Sequence, residues 1–225
     1  MLDLATSTLR EVNQELQAKN GTIEGGYYRV LNPDGAHALA CGIKAPVIVE
    51  IDGHAGYYCA GMNQAATINI AGNAGPGVAE NMMSGDVRIK GDASQYAGAS
   101  GRGGLLVIEG NASSRCGISM KGIDIVVAGN IGHMSAFMGQ AGRLVVLGDV
   151  GADVCDRLYE ARLFVRGEVE SLGADCIEKD MRDEHRDELS SLLRQADIDA
   201  DAGDFKRYGS ARKLYNFDVD QLGAY

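Results

Sequence analysis

Glycine and aliphatic residues recur along this chain at one fixed interval. Gly53, Gly72, Gly91, Gly110, Gly129, Gly148 and Gly167 stand nineteen residues apart. Four positions before each glycine are Val49, Ile68, Val87, Leu106, Ile125, Leu144 and Leu163, and two before it are Ile51, Ile70, Ile89, Ile108, Val127, Val146 and Val165. All fourteen are Val, Ile or Leu, and the period-two spacing marks a short strand with one buried face. After each glycine comes a polar column (His54, Asn73, Asp92, Asn111, Asn130, Asp149, Glu168), whose Asn and Asp suit a bend. An apolar column follows, from Ala55 to Val169, and seven after the anchor every residue is small, from Ala60 to Ala174. Small residues suit a tight corner packed on stacked neighbours.

A repeat of one strand and its turns is too short to fold alone, so copies must stack and pair in parallel. The pattern predicts an all-β chain: a single-stranded, right-handed parallel β-helix of seven nineteen-residue coils. The LxxLxLxxN spacing of leucine-rich repeats is absent, nineteen breaks the register of a left-handed hexapeptide helix, and right-handed winding follows the usual crossover preference.

Outside the repeat the chain supplies caps. Thr8 to Glu11 matches a capping box, with Leu9, Val12 and Leu16 as an apolar stripe and Asn20-Gly21 as a stop, predicting an N-terminal helix. Gly26 to Leu31, the turn at 32–35 and extended chain from Ala38 lead into the first full coil. Residues 178–196 predict a second helix, with Met181, Leu189, Leu192, Leu193 and Ala196 on one side. The chain thus divides into a capping segment (1–46), the β-helix (47–177) and a C-terminal helix with a tail (178–225). Three positions before the anchor, the outward residue is Glu50, Asn69 or Arg88 in early coils but Val107, Val126, Val145 or Phe164 in later ones. Such a face requires a cover, either the chain's own C-terminal segment or a partner subunit.

Composition narrows the functions. A formal charge of -10 argues against nucleic acid. The absence of a long apolar run or signal peptide makes the cytoplasm the expected location. Five cysteines without a CxxC pair read as free thiols, with Cys59 and Cys116 in one core column. The glycines at 72–77 and 98–104 lie within the repeat and read as turn glycines rather than phosphate loops. His37, His54, His133 and His185 share no ligand-spaced column with acids or cysteines. No catalytic, cofactor-binding or metal-binding residue is therefore expected on this chain. The run from Asp197 to Phe217 joins an acidic stretch to a basic aromatic one, a docking composition. Lys206, Arg207, Tyr208, Arg212, Lys213, Tyr215 and Phe217, with the apolar Val126, Val145 and Phe164, are the expected partner-docking residues.

The nineteen-residue glycine coils and the sequence Gly-Ser-Ala-Arg-Lys-Leu-Tyr-Asn-Phe at 209–217 resemble the GXGXG β-helix family, which forms the C-terminal domain of the large subunit of glutamate synthase. Stand-alone members occur in N-methylglutamate synthase (methylamine-glutamate N-methyltransferase) and formylmethanofuran dehydrogenase. The segments at 3–11 and 172–179 look closest to the N-methylglutamate synthase members. That resemblance implies a structural subunit between a glutamine-amidotransferase-like chain and a flavin-binding barrel chain that carries FMN and an iron-sulfur cluster. The implied reaction converts methylamine and glutamate to N-methylglutamate and ammonia, with this chain inactive alone. A β-helix subunit of glutamate synthase or formylmethanofuran dehydrogenase, an independent β-helical enzyme and a self-assembling solenoid scaffold are the competing expectations.

Overall fold

The computed structural model describes residues 1–213 and forms one eleven-stranded sheet. Strands β1 (Leu2–Asp3), β2 (Gly26–Leu31), β3 (Val47–Ile51), β4 (Thr67–Ile70), β5 (Asp86–Ile89), β6 (Leu105–Ile108), β7 (Lys121–Val127), β8 (Ala141–Val146) and β9 (Arg162–Val165) follow one another in space as in sequence. Each pairs in parallel with the next, and from β3 to β9 the anchored partners are nineteen residues apart, as in Ile51↔Ile70 and Ile70↔Ile89. The architecture is the predicted parallel β-helix. All fourteen aliphatic positions are at most 1% exposed, so the period-two pattern defines the interior.

The anchor glycines are required by close approach between coils. A Cβ on Gly72 would lie 2.7 Å from the carbonyl carbon and oxygen of Gly53, well inside contact distance, and its equivalents down the stack meet the preceding glycine in the same way. The polar column does more than turn the chain. The Asn73 N–H donates to His54 Nδ1 (2.9 Å), and side-chain oxygens of Asn73, Asp92, Asn111, Asn130 and Asp149 each accept from the backbone N–H nineteen residues on, at 2.7–3.0 Å. This ladder ties the coils outside the core. Just past the strands, one-residue parallel bridges link the apolar column from Ala55 to Val169.

The small column forms part of a left-handed arch. In the coil after Gly53, Tyr58, Ala60 and Met62 all have φ near +60°, and Arg115, Gly117 and Ser119 repeat this three coils later. The arch bonds alternately in both directions: Tyr58 N–H donates forward to Pro76 O, Ala60 N–H backward to Leu39 O, and Met62 N–H forward to Glu80 O. Non-glycine residues resist this conformation, but here bonding to both neighbouring coils holds it.

The parallel sheet begins before residue 47, because β2 pairs with β3 at a 21-residue offset (Val30↔Ile51) and β1 pairs with β2. Two extra residues hide this coil from a nineteen-residue search. Helix α1 (Leu9–Leu16) caps that end. Thr8 and Glu11 form the predicted box, with Thr8 N–H donating to Glu11 Oε2 (2.8 Å), and Val12 and Leu16 are buried. The polar side of α1 and the turn after it close the exposed backbone of the first arch. Asn13 Nδ2 donates to Ala38 O (2.9 Å), Gln17 Nε2 to Cys41 O (2.6 Å) and Asn20 Nδ2 to Gly42 O (3.0 Å). Unpaired backbone groups at a stack end are thus satisfied by one strip of amides.

Past β9 the chain departs from the predicted order. Residues 176–179 form β10 rather than the start of a helix, and α2 spans only Asp183–Gln195. A short 3₁₀ turn (Ala202–Asp204) leads into β11 (Lys206–Ser210), which inserts antiparallel between β9 and β10. Glu178 and Lys179 face Tyr208 and Arg207 across that ladder, which holds them extended. The expected divisions at 46/47 and 177/178 therefore both fall inside one sheet.

Candidate functional site

Helix α2 lies on the outer face of the later coils. Val126, Val145 and Phe164 are fully buried and Val107 is 2% exposed, packed with Leu189, Leu192, Leu193, Ala196 and Phe205. The three residues assigned to partner docking are thus covered by the chain's own C-terminal segment, because burying them against α2 removes their apolar surface from water without a second molecule. Polar bonds fix the helix at its middle and at its C-terminus. Arg143 joins Asp124 and Glu188, Arg162 joins Glu188, and Arg88 Nη2 donates to Ala196 O (2.6 Å). The hydrogen bonds that Arg143 donates to Asp124 raise its pKa most, with the charges of Asp124 and Glu188 adding to the effect against partial burial.

The remaining docking candidates divide. Tyr208 is buried in β11, a correction to its docking role, because its backbone and ring belong to this chain's own sheet and core. Arg207 is half-buried, donating from Nε and Nη2 to Asp180 O (3.1 and 3.0 Å). Lys206, Arg212 and Lys213 are exposed, and Arg212 pairs with Glu160 (2.8 Å). Tyr215 and Phe217 lie outside the described residues.

The C-terminal end of the stack carries a pocket of about 230 Å³ lined by Glu160, Arg162, Lys179, Arg182, Arg207 and Arg212, among others. Its charge comes from residues far apart in sequence, brought together because β11 returns between β9 and β10. The sequence pattern marked Arg207 and Arg212 as partner-docking residues and did not group Arg162, Lys179 and Arg182 with them, because no periodicity announces the return of β11.

Candidate chemistry elsewhere is sparse. Burial pushes the Cys116 thiol up to about 12 and the Cys59 thiol further in the same direction, so neither supplies a thiolate nucleophile near neutrality. A hydrogen bond with Cys176 is the largest cause raising the Cys155 pKa, with burial second. His37 Nδ1 and His54 Nδ1 accept backbone N–H groups. His133 Nδ1 lies 3.6 Å from Asp153, and buried His185 accepts the Arg182 N–H at 3.2 Å. Among the described residues, no group of three or more His, Cys, Asp or Glu is placed to hold a metal ion, and no helix is long and apolar enough to cross a membrane.

These features define a capped parallel β-helix whose interior is aliphatic and whose polar clusters are built around backbone ladders. No protein-family model matches the chain. Protein GlxC of Rhizobium meliloti (strain 1021) is 65% identical over 226 aligned residues, covering 100% of this chain and 99% of GlxC. The chain belongs to the GlxC family.

Proposed function

We propose that this chain is the non-catalytic β-helix subunit of an N-methylglutamate synthase, bridging a glutamine-amidotransferase-like subunit and a flavin-binding subunit. The observation that carries the reading is the match to GlxC, 65% identical over 100% of this chain and 99% of that relative. Resemblance of the coils and of the 209–217 segment to the GXGXG family supplies the complex. In that assembly FMN and the iron-sulfur cluster reside on the flavin-binding subunit. The complex transfers methylamine to glutamate, giving N-methylglutamate and ammonia.

A stiff stack suits this role. Eleven strands at roughly 4.8 Å spacing give a sheet about 48 Å long, enough to set the separation of two active sites. The exposed Lys206, Arg212 and Lys213, with Tyr215 and Phe217, are the docking residues this reading retains. Co-expression with the two partner chains tests it. A flavin-coloured complex that forms N-methylglutamate, beside an inactive isolated chain, is the expected result. A colourless chain that recruits neither partner would sink the proposal, as would transferase activity in the isolated chain.

A further inference from the structure

Five cations meet in one pocket of a protein whose formal charge is -10. Arg162 comes from β9, Lys179 from β10, Arg182 from the start of α2, Arg207 from β11 and Arg212 from just beyond it. Three have carboxylate partners: Arg162 with Glu188, Arg182 with Glu184 and Arg212 with Glu160. Arg207 spends two donors on a neutral carbonyl, that of Asp180. The Lys179 ammonium has no hydrogen-bonding or ionic partner among the described residues.

Such crowding costs free energy unless a counter-charge joins it. Partial burial lowers the Arg207 pKa most, and Arg182 and Arg162 push it the same way, against Asp180 and Glu184. Guanidinium forks and an ammonium around one cavity match the acceptor geometry of carboxylate or phosphate. At about 230 Å³ the pocket is below the roughly 300–1,000 Å³ of pockets that take drug-sized ligands, a size that suits a small anion. The acidic remainder of the surface repels polyanions and acidic membranes, whereas a small ion meets only the local field.

We propose that this pocket binds a small oxyanion, a dicarboxylate or a phosphate, through Lys179, Arg182 and Arg207. The site does not depend on the proposed assembly. Titration calorimetry of the full chain with sodium phosphate and with glutarate, at ionic strength fixed by sodium chloride, tests it, with neutral glutaramide as the control. A saturable one-site isotherm is expected for at least one anion and none for glutaramide. Affinity should fall ten-fold or more in K179Q and in R207Q. Binding of phosphate alone or glutarate alone supports the site and identifies the source of the oxyanion. R207Q also loses the bonds to Asp180, so K179Q, which breaks no side-chain hydrogen bond or ion pair, guards against a folding artefact. Its thermal midpoint in chloride should match the parent while the anion-induced rise is lost. Failure of both anions to bind, or unchanged affinity in both variants, overturns the proposal.

Discussion

The outer face of the early coils and that of the later coils use the same strand position differently. In β3, β4 and β5 it carries Glu50, Asn69 and Arg88, half-buried and linked by polar bonds such as Asn69 Nδ2 to Glu50 Oε1 (2.7 Å). In β6 to β9 it carries Val107, Val126, Val145 and Phe164, sealed under α2. The inner columns do not change between the two regions. The interior pattern therefore specifies the stack, and the outer column records where something else is packed. The lengths agree: thirteen helical residues extend about 20 Å, and the four intervals from β9 back to β5 span about 19 Å. Arg88, where the helix ends on its hydrogen bond to Ala196 O, marks the boundary.

Breaking the covered face should have the largest effect. Phe164→Ala is expected to cost about 3–5 kcal/mol in urea denaturation, because the ring is fully buried between sheet and helix. Changes to the shared interior should not distinguish the regions. Gly91→Ala beneath the open face and Gly129→Ala beneath the covered one should each cost roughly 1–3 kcal/mol and agree within about 1 kcal/mol, since both place a Cβ against the preceding coil's backbone. At the boundary, Arg88→Ala should cost about 0.5–1.5 kcal/mol through its bond to the helix C-terminus. Asn69→Ala, on the open side, should cost less than about 1 kcal/mol by the same assay.

The smallest effect concerns pH. His185 is buried at the start of α2, and burial, then Arg207 and Arg182, lower its pKa from 6.5. The unfolded chain then binds the proton more readily than the folded one. Stability should be complete above pH 6.5 and fall as pH drops through that value toward the lowered folded pKa. His185→Gln should flatten this segment of the urea-midpoint profile.

Much of this architecture was legible in sequence because it is periodic. The nineteen-residue columns predicted β3 to β9, and the Thr8–Glu11 box predicted α1. What escaped either breaks the period or has no residue-type signature. The coil of β2 is offset by two residues, and Tyr58, Met62, Arg115 and Ser119 adopt left-handed backbone without a glycine to announce it. Asn and Asp suggested a bend because their side-chain bonds to the next coil cannot be inferred from one repeat. Arg207 and Tyr208 looked like docking residues because an antiparallel strand added from beyond a helix has no signature in the parallel pattern. The basic pocket depends on that same strand, so its members could not be grouped beforehand.

Hydrogen–deuterium exchange on the chain, alone and co-expressed with the two proposed partner chains, tests the central claim that the chain's own α2 covers the later coils. Equal protection of α2 and β6 to β9 in both samples is expected, with new protection confined to surfaces outside that face. Rapid exchange of α2 in the isolated chain, slowed only when partners bind, would show that the later coils need another subunit to complete them and would contradict it.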